Sequence, residues 1–258
     1  MTGADGAARI ASAFASSGRR AALMPYLMGG YPTLDASRAV GAAYVAGGAD
    51  LVELGVPFSD PLADGPVIHA AGVRALAGGV HVDDVLALAG ELSPAVPVVL
   101  MCYVNLVLAR GVEQFAAALA QAGASGLIVP DLPIEEAGPV LEACDGAGVA
   151  LVPLVAPTTP DERLATIGAR ARGFLYTVSV TGTTGERAGV DFTTTVARAK
   201  AATDVPVAVG FGIATPDRAA AAADAGADGV IVGSRLVRAA GEGEDVEALV
   251  RGFAQALG

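Results

Sequence analysis

GGADLVELG (residues 47–55), AGASGLIVP (122–130) and AGADGVIVG (225–233) are three versions of one phrase, in which an Ala-rich helix ends at Gly and a short apolar strand follows. Glycine supplies the left-handed helix C-cap, and an unbroken apolar run suits a parallel strand covered on both faces. The phrases start 75 and 103 residues apart, a spacing that fits two βα units with one long loop and then four compact ones. Further strands are expected over 23–28, 98–103, 150–155, 174–179 and 205–210, which brings the total to eight. Helical patterns run between them at 35–46, 112–121, 139–144, 161–169, 196–201 and 217–224, several opening on Asp, Thr or Pro. Eight βα units in this length close into a (β/α)₈ TIM barrel, an α/β fold, with residues 1–258 as a single domain and an extra N-terminal helix near 8–16 capping the bottom.

Composition limits what such a barrel does. With 53% hydrophobic and 17% charged residues the chain can bury a large core. Its net charge of −11, from 16 basic against 27 acidic residues, leaves no basic stripe for nucleic acid, so none is expected as a partner. An anionic small molecule would have to be held by local backbone donors or a single Arg. Cys102 and Cys144 lack CxxC spacing and read as buried free thiols. No sustained apolar segment of a secretory signal opens the chain, and a cytoplasmic location is expected. The uncharged stretch 92–109 is interrupted by Pro94, Pro97 and Asn105, so it reads as a buried strand entering a loop and not as a membrane span.

Chemistry in barrels of this kind sits at the C-terminal ends of the strands. Two long segments fall there, 56–80 after the second strand and 180–190 after the sixth; the latter, VTGTTGERAGV, reads as a mobile lid or a plain surface loop. Glu53 lies at a strand end among apolar neighbours. Facing inward it would be desolvated and usable as acid and base; facing outward it would pair with an Arg on a covering helix. Asp60 and Asp64 follow in VPFSDPLADGP, where aspartates make turns or cap helices as readily as they catalyse. Tyr176 is either a core tyrosine or a residue of the mouth. Gly210-Phe211-Gly212 and Gly233-Ser234 end strands seven and eight, where a phosphate could rest on backbone N–H groups and the Ser234 hydroxyl, with Gly182 and Gly185 closing over it; otherwise these glycines merely cap strands.

Elimination narrows the mechanism. Lys200, the only lysine, sits late in a helix, so no Schiff-base lysine is available at the mouth. His69 and His81 lack a third ligand nearby, no metal site is expected, and no cofactor motif appears. A carbon–carbon cleavage here needs a substrate that is its own electron sink.

The run 52–66, VELGVPFSDPLADGP, resembles the signature segment of tryptophan synthase alpha subunits, and the likeness extends through MCYVN (101–105), VPDLP (129–133), the segment 176–185 and GFGI (210–213). The resemblance implies cleavage of indole-3-glycerol phosphate to indole and glyceraldehyde 3-phosphate, either within a tryptophan synthase complex or by a stand-alone lyase releasing free indole. Under it, Glu53 is the general acid/base, Asp64 the carboxylate that binds the indole N–H, and Tyr176 an active-site tyrosine. Tyr26, Leu100, Leu127, Leu154 and Phe211 are pocket positions by the same likeness, Thr184 a lid contact, and Gly185, Gly212, Gly233 and Ser234 phosphate binders. Thr183 stands where the family commonly has Val, which puts the lid's dynamics in question. The resemblance also implies a pyridoxal-phosphate-dependent beta subunit as partner in an alpha2-beta2 heterotetramer, contacted through 57–64 and 103–109.

Overall fold

The computed structural model describes residues 5–178 and 192–258. Helix α1 (Gly6–Ser16) precedes β1 (Ala22–Met28), α2 (Leu34–Ala46), β2 (Val52–Gly55), α3 (Pro66–Ala77) and α4 (Val82–Leu92). Next come β3 (Val98–Met101), α5 (Val104–Arg110), α6 (Val112–Gln121), β4 (Gly126–Ile128), α7 (Gly138–Ala147), β5 (Ala150–Val152) and β6 (Leu154–Val155). The remainder is α8 (Asp161–Arg170), β7 (Leu175–Val178), α9 (Thr193–Lys200), β8 (Val207–Gly210), α10 (Pro216–Asp224), β9 (Gly229–Val232), α11 (Ser234–Glu242) and α12 (Val246–Ala256).

All strand pairings are parallel, in the order β5-β4-β3-β2-β1-β9-β8-β7-β6. The two ends of that order, β5 and β6, are separated in the chain only by Pro153, so the sheet curls back on itself into a barrel whose fifth position is one strand broken at a proline. Proline has no N–H to give the ladder. Its carbonyl still accepts the Tyr176 N–H at 3.0 Å, which keeps the seam tied to β7.

The repeated phrase does the same local work three times. Gly48, Gly123 and Gly226 hold φ of 97°, 71° and 91°, and the next residue's N–H reaches back to Tyr44, Leu119 and Ala222 carbonyls at 3.0, 3.0 and 3.2 Å. That is a Schellman ending, and it turns each helix directly into the following strand. The fourth residue of the phrase adds a link between strands: Asp50 Oδ2 accepts the Leu23 N–H and Asp228 Oδ2 the Val207 N–H, both at 2.8 Å. In the second version Ser125 takes this place, and its buried hydroxyl finds no partner among the described residues.

Alternation along the strands sorts the core into two layers. Inside the barrel, Ala22, Met24, Leu51, Val99, Ile128 and Ala208 pack with Ile10 of α1, which fills the bottom beside Phe14 and Phe174. Arg9 on the same helix donates to the Ser93 and Gly123 carbonyls at 2.5 and 3.1 Å, fastening α1 across the floor. Outside, residues of opposite parity such as Leu23, Leu54, Leu100, Leu127 and Val230 meet the helices.

Several expectations are adjusted. The segment after β3, expected as a loop, carries α5, whose N-cap is Tyr103. The strand expected over 98–103 therefore ends at Met101. Asp64 does not cap α3; Gly65 holds the N-cap position and Pro66 begins the helix. Position 179 of the expected sixth strand and the lid segment 180–190 lie outside the described residues. Among the described residues no helix is long and apolar enough to cross a membrane.

Leu100 is wholly buried between β3 and the helical layer. Leu100→Ala is expected to lower the unfolding free energy by about 2–5 kcal/mol, the usual consequence of emptying a buried leucine site. Urea denaturation of the two chains measures it.

Candidate active site

At the C-terminal end of the barrel lies a cavity of about 670 Å³, counted with its open mouth, lined among others by Tyr26, Glu53, Asp64, Met101, Leu154 and Tyr176. Its walls are mostly apolar, and two carboxylates meet in it.

Glu53 sits opposite Tyr26 on β1 and Val99 on β3, sharing the inward parity of Leu51. Only 1% of the residue is exposed, and one carboxyl oxygen, Oε2, has no hydrogen-bond partner among the described residues. Among the described residues no arginine contributes to its electrostatics. Desolvation first, and repulsion from Asp64 second, push its pKa up to about 8. At neutral pH the side chain is therefore mostly a neutral acid that ionises with a small change in surroundings, which suits a group that gives and takes one proton.

Asp64 reaches the same cavity from the loop between β2 and α3. Burial raises its pKa, opposed by a hydrogen bond from the Tyr103 hydroxyl and by the charge of His69. The Tyr103 oxygen donates to Asp64 Oδ1 at 2.9 Å. The two carboxyls are thus set apart by environment: one lacks a donor, the other has a phenol and a nearby imidazole. Asp60 belongs elsewhere. It is exposed, accepts a hydrogen bond from Ser59 at 2.5 Å, and does not line the cavity.

Two tyrosines form the walls. Burial foremost, with the nearby carboxylates adding, keeps both Tyr26 and Tyr176 protonated far above neutrality. Their hydroxyls rest over glycines on the adjacent strands. A Cβ on Gly55 would lie 1.9 Å from the Tyr26 oxygen, and one on Gly210 would lie 2.1 Å from that of Tyr176. Phe211 meets Tyr176 edge to face at 6.2 Å. It does so with φ of 71°, followed by Gly212 at 72°, a left-handed pair in which only the second residue is free of steric penalty.

Gly212, Gly233 and Ser234 line the cavity as well. Ser234 is the first residue of α11, so that helix turns its N-terminus and positive dipole end toward the space.

Of the expected site residues, Glu53, Asp64, Tyr176, Tyr26, Leu154, Phe211, Gly212, Gly233 and Ser234 converge on one cavity. Leu100 and Leu127 do not. Paired in register with each other and with Leu54, they face the helices, and the cavity is lined instead by Met101 and Pro130. A shift of one residue along a strand exchanges inside for outside, which is the physical content of the correction from Leu100 to Met101; Pro130 lies beyond the end of β4. Thr184 and Gly185 lie outside the described residues. Tyr103, Met101, Ile68 and Ile231 were not expected at the site. For Met101 and Ile231 the strands are apolar on both faces and carry no marker of parity, and for Tyr103 no signal was available. No group of three His, Cys, Asp or Glu placed to hold a metal occurs among the described residues.

Known proteins resemble this chain over nearly its whole length. The family model described as tryptophan synthase alpha chain matches residues 13–256. The tryptophan synthase alpha chain of Methanosarcina mazei is 48% identical over 239 residues, covering 93% of this chain and 88% of that protein. That of Synechococcus elongatus is 47% identical over 244 residues, covering 92% of each. Among solved structures, a chain of Mycobacterium tuberculosis tryptophan synthase superposes with a TM-score of 0.91 at 44% identity, covering 96% of this chain and 98% of that one. The alpha subunit from Legionella pneumophila does so at 0.85 and 36%, with the same coverage.

Gly55→Ala should force the Tyr26 ring out of place and destabilise the fold by about 1–3 kcal/mol. In a double-mutant cycle, adding Tyr26→Ala is expected to recover at least about 1 kcal/mol relative to the sum of the single changes. Additive losses in urea unfolding would refute the contact.

Proposed function

This chain belongs to the tryptophan synthase alpha chain family, and from that premise we propose how its residues divide the work of the reaction. The protein is a carbon–carbon lyase of tryptophan biosynthesis that cleaves indole-3-glycerol phosphate to indole and glyceraldehyde 3-phosphate. The observation that carries the assignment of roles is Glu53: a carboxyl sealed from water, with a free oxygen, in the same apolar cavity as a second carboxylate.

Glu53 starts protonated and delivers its proton to C3 of the indole ring. The ring becomes an indoleninium cation, whose positive nitrogen draws in the electrons of the carbon–carbon bond as it breaks. The glycerol hydroxyl on the departing carbon loses its proton to the Glu53 carboxylate, the aldehyde forms, and Glu53 is restored. Asp64, ionised, accepts the indole N–H and stabilises the cation as it develops. The apolar walls strengthen both interactions by excluding water. An electron sink within the substrate explains why the chain's single lysine is not needed at the barrel mouth.

The phosphate belongs at Gly212, Gly233 and Ser234, where backbone donors and the α11 N-terminus supply positive potential to a protein of net charge −11. Tyr26, Leu154, Tyr176 and Phe211 enclose the ring, Gly185 is taken as a further phosphate binder, and Thr184 as the lid residue that contacts the catalytic carboxylate region. A tryptophan synthase beta subunit, in an alpha2-beta2 assembly, is the partner; the exposure of Leu62 (77%) and Leu108 (60%) beside the mouth supports contact through 57–64 and 103–109. The same reading takes 1–258 as one domain and the cytoplasm as its location.

Glu53→Gln is expected to cut turnover by about a hundredfold to ten-thousandfold while glycerol phosphate binding, followed by calorimetry, stays within about twofold because the phosphate site is untouched. Turnover near that of the parent chain would remove Glu53 from this role. Stability supplies a second measurement. A Glu held at about 8 when folded, against an ordinary 4.5, keeps its proton in the folded chain over a range where the unfolded chain has lost it. Stability therefore falls as pH rises through that window and levels off above it. The melting temperature of Glu53→Gln should gain on that of the parent chain from about pH 4.5 to about pH 8, with no further gain beyond.

A further inference from the structure

Tyr103 stands at the hinge of three loops, and nothing in the proposed chemistry uses it. Its ring is 2% exposed and stacks on Phe58 at 5.2 Å. The hydroxyl accepts a hydrogen bond from the Ala63 N–H at 3.0 Å and donates one to Asp64 Oδ1 at 2.9 Å. A phenol has one proton to give. With the Ala63 N–H approaching its oxygen as donor, that proton is committed to Asp64. The backbone of Tyr103 is fixed in turn, because the adjacent Val104 N–H donates to Asp131 Oδ1 at 2.8 Å. Loops after β4, β3 and β2 are thereby linked in sequence, ending at a carboxylate that belongs to no regular element.

We propose that Tyr103 is a positioning residue for the lyase reaction: its hydroxyl holds the Asp64 carboxylate at a fixed place and angle, leaving the second oxygen, Oδ2, for the ring N–H of the substrate. The inference rests on the reading of Asp64 given above. An aspartate in an irregular loop has two free side-chain torsions and would otherwise sample several orientations. A hydrogen bond from a neutral phenol fixes one oxygen without neutralising the charge, whereas an Arg in the same place would compete with the developing cation. The bond also favours the ionised form of Asp64 against its burial, and the sign follows: removing it raises the pH at which Asp64 gains its proton. The titratable groups facing this pair are Glu53 of β2, Tyr26 of β1, His69 of α3 and, behind Tyr103, Asp131.

The test is the pH profile of kcat/KM for indole-3-glycerol phosphate cleavage by the full chain, comparing Tyr103→Phe, which keeps the stacked ring, with Asp64→Asn. Tyr103→Phe is expected to lower kcat by about tenfold to a hundredfold, the usual effect of losing one hydrogen bond to a charged group. Its acid limb should move to higher pH while KM and the melting temperature change little. A tyrosine fluorinated on the ring at position 103, a stronger donor, should move the same limb to lower pH, which a purely structural role would not do. An inactive Asp64→Asn beside a Tyr103→Phe with unaltered kcat and acid limb would overturn the positioning role alone. Full turnover in Asp64→Asn would overturn both that role and the reading of Asp64.

Discussion

Burying a carboxyl without a cationic partner is among the least favourable things a fold can do, and the Glu53 site is organised around tolerating it. The side chain points into the barrel because its strand parity leaves it no other direction, Leu51 two residues earlier being part of the inner core. The energetic consequence of that placement is held as a protonation preference and not as an ion pair. Around it stand groups that neither neutralise nor hydrate it: two protonated tyrosines, a phenylalanine in a left-handed conformation, and a second carboxylate whose donor is a phenol. The rest of the barrel, from the plug of α1 at the floor to the Schellman turns that feed β2, β4 and β9, keeps those side chains aimed at one space.

Much of the architecture was legible because it is written in local rules. The phrase ending in Gly and an apolar run specifies a helix stop and a parallel strand within a few residues, and three occurrences fix the βα rhythm. Helix starts were readable where the cap is a neighbour, as with Thr33 for α2 and Thr215 for α10. Less was legible where the determinant lies far along the chain. The first N–H of α5 is satisfied by Asp131, 27 residues away, so nothing near 104–110 separates a short helix from a loop. Helix α12 is the opposite case: Asp245 caps it through the Ala248 N–H, and the apolar spacing of Val246, Val250 and Phe253 was a usable signal.

At the site, residue types in an unusual context were the readable part: a Glu inside an apolar strand, an Asp beside Gly-Pro, a Gly-Phe-Gly turn. Leu100 and Leu127 show where such reading loses resolution. In a strand apolar on both faces, hydrophobicity carries no parity, and only a polar marker on the same strand reveals which residues look inward. Glu53 is such a marker on β2; β3 and β4 have none. Tyr103 was out of reach for a related reason, since its partner is 39 positions earlier and the bond exists only after two loops have met.

The resting of two tyrosine hydroxyls on Gly55 and Gly210 has a bearing on how such a chain changes over generations. At each place a large residue and a missing side chain occupy one shared volume, so neither position drifts independently. A lineage that acquires a methyl group at either glycine inherits a damaged site until its tyrosine also shrinks, and one that first shortens the tyrosine opens room for that methyl group. Each pair should therefore travel through descent as a single unit, across strands that are successive in the chain and adjacent in space.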